Sequence, residues 1–350
     1  MSPPTRRELL KTTGGVAGLS VAGGLSGCLG LFGGSGGGSI DEDSTAKDVP
    51  NRAGALCHVD FAALLQADEL LTATDDALAE RDTAAPDSVE AALDRLEETY
   101  NLDPRGMNGA TAFVGEDIVS TPDGVTPRPA YWGVVGYTDW EPAAMRESFR
   151  NAAPSRVTES TYDGNTVLQI GGETLSVLGE DKVVFGTRPA VEETIDVAAE
   201  NASGVTGELR RAFDTASGGY AQFGVNLDMV ALGTQLLGSQ AVDAIPFSSI
   251  QHSYGSLFDD GSERGVRLVV KLGSATKAEQ LAAQIDSFVG IAKAQGVNSR
   301  LLSRYEPAIQ GIETTTDGKI LTATYRVSKA SFDDVAAQLL ADFLLGIRTT

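Results

Sequence analysis

The side chains best suited to chemistry are few in this chain. His58 and His252 are the only histidines, and Cys28 and Cys57 the only cysteines, in 350 residues. His58 directly follows Cys57 in Ala55–Phe61, a stretch that reads as a strand. Neighbouring strand residues point to opposite faces, so these two cannot form a simple Cys–His dyad. A buried thiol beside a half-exposed histidine is the reading favoured for the pair. His252 has Ser253, Ser256, Asp259 and Asp260 close in sequence, the residue types of a Ser–His–Asp triad. A triad depends on placement in space, and no elbow or oxyanion hole accompanies these residues. Asp259-Asp260-Gly261-Ser262 reads instead as a hairpin turn. Gly33-Gly34-Ser35-Gly36-Gly37 has the spacing of a serine-hydrolase elbow. That motif needs a strand before it and a helix after it, and here it lies in a glycine run. The acidic groups Asp41-Glu42-Asp43 and Asp75-Asp76 lack the alternating ligands and central glycine of a calcium loop. Two imidazoles and one leftover thiol exclude a zinc cluster, chemistry built on several histidines, and an intrachain disulfide framework. No catalytic residue, metal or cofactor is assigned. Trp132 and Trp140 flank a strand, where core packing is a more frequent role than lining a ligand groove.

One cysteine does have a chemical context. The chain starts with Thr5-Arg6-Arg7-Glu8-Leu9-Leu10-Lys11, which resembles a twin-arginine export signal with Leu9 where phenylalanine is commonest. Thr12 to Gly27 is rich in Gly and Ala, too short and too weakly apolar for a good membrane span. Leu25-Ser26-Gly27-Cys28 resembles a lipobox: small residues admit a peptidase, and the Cys28 thiol can then take a lipid thioether. The Gly-rich run Leu29–Ser39 reads as a flexible tether. Residues 1–27 are therefore expected to be a signal, and 28–52 a lipidated cysteine with a tether. The expected address is the outer face of the cytoplasmic membrane, with membrane lipid as partner through Cys28.

Charge narrows the setting further. There are 48 Asp and Glu against 27 Lys and Arg, a formal net charge of -21. Residues 1–27 carry a net +2, which leaves the remainder near -23. Only 8 of the basic residues are Lys. Such self-repulsion weakens a compact fold in dilute buffer and is screened at molar salt. It also argues against nucleic acid as a partner. An acidic, Lys-poor, twin-arginine-exported chain resembles haloarchaeal lipoproteins.

Hydrophobic residues make up 42% of the chain and aromatics 6%, enough for a core built mainly of Ala, Val, Leu and Ile. Strands are expected at 55–61, 110–114, 131–137, 166–170, 174–178 and 182–185, and again at 221–227, 266–272 and 320–327. Helices are expected over 87–100, capped by Asp87, then from Pro142 and from Pro189. Two more are expected, one opened by a Thr276/Glu279 capping box and one capped by Ser331 and Asp334. The halves resemble each other: ALCHVDFAALL at Ala55 parallels AQFGVNLDMVALG at Ala221, and Tyr131–Asn151 parallels Val266–Ala294. Ser155-Arg156-Val157 likewise matches Ser299-Arg300-Leu301. The fold class is α+β, two tandem modules over 53–202 and 203–350, each an antiparallel sheet with helices packed on one face. Asn201-Ala202-Ser203, near the junction, is an N-glycosylation sequon.

Strand-first modules, an Asn226-Leu227-Asp228 turn and the closing segment GEDKVVFGTRPAVEETI (179–195) resemble an exported prokaryotic family of unknown function. The resemblance spans about Ala53 to Leu345 and implies architecture only. The expected role is non-catalytic binding or envelope structure, with an envelope protein or small ligand as possible partner. Rivals are a subunit of an envelope complex and an unrecognised extracellular hydrolase.

Overall fold

The structure is a computed structural model. It describes residues 44–79, 86–115, 118–120, 127–152, 157–216, 219–226, 247–259, 261, 263–295, 310–333 and 336–337. The expected signal residues Arg6 and Arg7, Cys28, the tether and Asp41–Asp43 lie outside these residues. So do Leu227, Asp228, Asp260, Ser299-Arg300-Leu301 and Asp334.

The first half runs β1 (Ala55–Asp60), α1 (Phe61–Leu65), α2 (Asp68–Ala79), α3 (Val89–Tyr100), β2 (Met107–Val114), β3 (Ile118–Ser120), β4 (Pro127–Pro129) and β5 (Trp132–Thr138). It continues with α4 (Pro142–Ala152), β6 (Val157–Tyr162), β7 (Asn165–Ile170), β8 (Glu173–Leu178), β9 (Lys182–Gly186) and α5 (Arg188–Ala198). Then follow α6 (Gly207–Thr215), β10 (Ala221–Val225), β11 (Ile250–Asp259), β12 (Glu263–Leu272), α7 (Ala275–Gln295), β13 (Ile312–Asp317) and β14 (Ile320–Ser328). Residues 329–333 and 336–337 are helical.

Twelve of the strands form one antiparallel sheet, ordered β13-β14-β12-β11-β10-β1-β2-β5-β9-β8-β7-β6. The α+β expectation of antiparallel sheet with packed helices holds. The two halves share a single sheet, closed at its centre by β1 against β10 with Cys57 opposite Phe223. Read outward from that pair, strands follow in the same order on both sides as far as β8 and β13.

Helices cover both faces, not one. The reason is visible in β1, where Ala55, Leu56 and Cys57 are buried in succession, so each face demands cover. On one face, called here the front, Cys57, Trp132, Phe223 and Tyr325 pack with Leu70 of α2 and with Phe332. α4 and α7 lie on this face too, through Met145 against Leu175 and Leu281 against Leu272. On the back, Leu56, Phe113, Val135 and Val184 pack under Val191 and Ile195 of α5 and Phe213 of α6. The front core runs unbroken across β1 and β10.

Several caps differ from expectation. Ser88, not Asp87, caps α3, its hydroxyl accepting from the Ala91 amide, and Asp75 accepts from Val89 in the same turn. Ser274 caps α7 in place of Thr276, and the last helix starts at Lys329, with Ser328 accepting from the Ser331 amide. In each case the shorter reach belongs to a nearby residue, one place later for Ser88, two earlier for Ser274 and three earlier for Ser328. Positive φ at Asp163, Gly164, Gly179, Gly261 and Gly318 marks tight turns, Gly261 in the expected hairpin turn.

Candidate functional site

The residues singled out by type do not assemble into a reaction centre. Cys57 is buried in the front core. It is not a free thiol, which corrects the expectation of a leftover one. His58 points to the back, where Nδ1 lies 2.9 Å from the Thr111 hydroxyl and the ring meets Tyr137 edge-on at 6.0 Å. Burial holds its pKa below the usual value, against the pull of Asp60.

His252 stacks on Tyr254, with Nδ1 3.6 Å from Glu208 of α6. Burial and then Lys271 lower its pKa, with Glu208 opposing. Pairing register puts His252 and Ser256 on the back and Ser253 and Asp259 on the front, so the carboxylate of the triad types lies across the sheet from the histidine. Asp259 is also committed elsewhere, accepting from Arg264 at 3.0 Å, Lys329 at 3.0 Å and the Gly261 amide at 2.9 Å.

The tryptophans are structural as well. Trp132 packs edge-on to Phe185 at 5.4 Å. Trp140 donates to the Asp103 carbonyl at 2.6 Å, over Gly106, whose Cβ would sit 2.5 Å from the indole nitrogen. The Asn201 side chain is exposed and donates to Asp163 at 3.0 Å.

Two polar constellations were not found by residue type, because each draws on distant segments. The first clamps the start of the body to the back of the sheet. A short 3-10 turn, Thr45–Asp48, buries Ala46 and presents Asp48 to the Tyr137 hydroxyl at 3.1 Å and the Lys182 ammonium at 3.0 Å. Burial, then Asp48, pushes the Tyr137 pKa above its ordinary value. Ser44 donates to Asp214, which Arg210 also bonds at 2.6 Å. Asn51 and Val49 continue the seam, with the Val205 amide donating to the Val49 carbonyl at 2.7 Å and Thr206 to the Asn51 side chain.

The second lies on the front around Arg264, which is 4% exposed. Its guanidinium bonds Asp333 of the last helix, Asp259 at 3.0 Å and the Tyr220 hydroxyl at 3.2 Å, with Glu69 of α2 at 3.9 Å. Burial works against this charge, but the bonds from Asp259 and Asp333 outweigh it and raise the pKa. Burial raises the Asp333 pKa in spite of Arg264, and its second oxygen has no partner among the described residues. The arrangement ties β11, β12, α2 and the C-terminal helix together, a buried ionic knot that fixes geometry.

No protein family matches the chain, and no curated protein does. Among solved structures, three crystal forms of the Treponema protein TP0453 are similar. Their TM-scores are 0.46, 0.43 and 0.45, at 10%, 10% and 11% identity. The matches cover 87%, 86% and 87% of this chain and 100%, 98% and 96% of TP0453.

Proposed function

We propose that this chain is an exported lipoprotein, held to the outer face of the cytoplasmic membrane by Cys28, with a non-catalytic binding or structural role in the envelope. The observation that carries the reading is the order of Arg6-Arg7, a small-residue stretch, Leu25-Ser26-Gly27-Cys28 and a glycine tether ahead of a folded body. The body takes up its chain at Ser44, where the Asp48 clamp seats the incoming segment on the back of the sheet. At most about 3.5 Å per extended residue, the tether keeps the body within roughly 50 Å of the lipid. The non-catalytic reading is supported by the use made of the polar side chains: both histidines, Asp259 and Arg264 serve packing and pairing. The two halves, 53–202 and 203–350, are two modules built to one plan that fused through β1 and β10. Asn201, exposed beside that boundary, is the proposed glycan acceptor.

Native mass spectrometry of the detergent-extracted protein, purified from its own cells at high salt, tests this. A mature mass starting at Cys28 with added lipid is expected. A lipid-free chain starting at Met1 overturns the anchor.

A second reading, a subunit of an envelope complex, is favoured by one observation. Phe288 and Ile291 stand 47% and 53% exposed one turn apart on α7, on an otherwise strongly acidic protein. A stoichiometric protein retained through extraction, and lost on Phe288→Ser with Ile291→Ser, is the outcome that reading requires.

A further inference from the structure

The back of the sheet is built differently on its two sides. Counted outward from β1, one row runs Leu56, Phe113, Gly133, Gly186. Counted outward from β10, the corresponding row runs Gln222, Ser256, Arg267, Thr324. The first row is an apolar plug. The Phe113 ring lies over Gly133, whose added Cβ would be 2.5 Å from the ring, and Gly186 lies against the Trp132 carbonyl at 2.3 Å by the same measure. The second row puts a guanidinium between two hydroxyl-bearing residues. Register neighbours sit about 5 Å apart at Cβ, within reach of one small ligand.

Arg267 is unusual within this charge distribution. The chain carries an acid excess of 21, yet Arg267 is half-buried and makes no ion pair or hydrogen bond among the described residues, and its Nε is fully buried. The charge that acts on it most strongly is another cation, Arg326, one row further along the same face on β14. Arg326 stacks on Phe258 at 5.3 Å and meets Glu263 at 3.3 Å. Glu313 on β13 lies two strands from Arg267, beyond ion-pair distance. Burial first, and Arg326 second, depress the Arg267 pKa, with Tyr254 opposing. A partly desolvated cation next to a like charge costs stability unless an anion completes it. Paired guanidiniums with a flanking hydroxyl, here that of Thr324, form a donor set that takes a phosphate, since each fork offers parallel N–H groups to tetrahedral oxygens.

We propose that Arg267, with Arg326 and the Thr324 hydroxyl beside it, binds the oxyanion of a phosphate ester on the back of the second half. The phosphate belongs either to a soluble ester or to a lipid headgroup; both present the same oxygens. The site does not depend on the lipid anchor, which fails or stands on the mature mass alone.

The test titrates the detergent-extracted full chain with inorganic phosphate at constant ionic strength, by calorimetry and by thermal melting. Vesicles of phosphatidylglycerol in phosphatidylcholine, and of phosphatidylcholine alone, serve as competitors. Saturable phosphate binding is expected, with a rise in Tm. Arg267→Met is expected to weaken binding by at least about tenfold and to abolish the rise in Tm. Competition by the phosphatidylglycerol vesicles identifies a headgroup as the source, and its absence a soluble ester. Arg267→Lys keeps the charge and loses the fork, so it serves if the methionine variant does not fold, with a weakening of about three- to tenfold expected. Absence of phosphate binding by the wild type, or equal binding by a folded Arg267 variant, overturns the proposal.

Discussion

Arg264 and Arg267 stand three residues apart on β12, and strand alternation sends them to opposite faces. On the front, Arg264 is met by Asp259 from its own hairpin, Tyr220 from before β10 and Asp333 from the last helix. On the back, Arg267 faces Arg326 and no carboxylate within ion-pair distance among the described residues. One strand thus holds a cation whose partners are all supplied by the fold and another whose partner is not. The fold tolerates the first because three elements converge on it. The second makes no ion pair or hydrogen bond among the described residues.

The largest effect that can break this comparison is at Arg264. Arg264→Met leaves Asp333 buried without its cation and removes a bond from Asp259. Breaking a buried pair from one side costs about 3–5 kcal/mol. Denaturant unfolding at fixed molar salt is expected to show a midpoint lowered accordingly. Because the pair is out of solvent, the loss is expected to persist at low and high salt alike. An unchanged midpoint would make Arg264 as dispensable as Arg267 and dissolve the contrast.

Neither arginine was distinguished in the sequence, and the reason is physical. Alternation in VRLVVKL showed a strand at 266–272, but partners such as Asp333 and Tyr220 lie 69 and 44 residues away from Arg264 and carry no local mark. The hairpin turn at Gly261 and the helices opened by Pro142 and Pro189 were legible because their signals are local. β11 was missed: its burial is nearly continuous from His252 to Phe258, so the period-2 pattern is lost. The same two-sided burial in β1 explains why helices were expected on one face only. The order of strands in each half was legible; the single sheet was not, because nothing in β1 or β10 alone says that each is the other's neighbour. The expected divergence of Cys57 and His58 followed from strand geometry and is what the structure has.

A smaller effect sharpens the contrast between the two rows on the back. Gly133→Ala would place a methyl carbon 2.5 Å from the Phe113 ring. Overpacking of this kind costs about 1–3 kcal/mol. Combining it with Phe113→Leu is expected to recover part of the loss, because the leucine vacates the ring's place; the four midpoints of that cycle measure the coupling. Additive losses would mean that the ring does not depend on the glycine.

Smaller still is the stability effect expected at the second row. Arg267→Met removes an unpaired, half-buried charge beside Arg326 and keeps most of the volume. Its midpoint is expected within about 1 kcal/mol of the wild type, on the stabilising side. A loss as large as that of Arg264→Met would show that Arg267 holds the fold together through contacts of its own, and the two faces would no longer differ in kind.

The smallest effect concerns pH, and it treats the two halves alike. His58 and His252 both have folded pKa values below the ordinary 6.5, each with burial as first cause. Above pH 6.5 both are neutral whether the chain is folded or not, and their contribution is fully present. As pH falls below 6.5 the unfolded chain takes up protons that the folded chain refuses, so stability falls until the folded values are passed. Each histidine can add at most about 1.4 kcal/mol per pH unit to that slope. Between pH 7 and 5, unfolding midpoints of His58→Gln and His252→Gln are each expected to fall less steeply than those of the wild type. The double variant is expected to be flatter than either. Glu208 stands 3.6 Å from His252 and favours its charged form, while Asp60 does the same for His58, so neither slope reaches the full limit. A steeper slope in either variant would mean that the histidine takes its proton more readily folded than unfolded, and that its carboxylate neighbour prevails over burial.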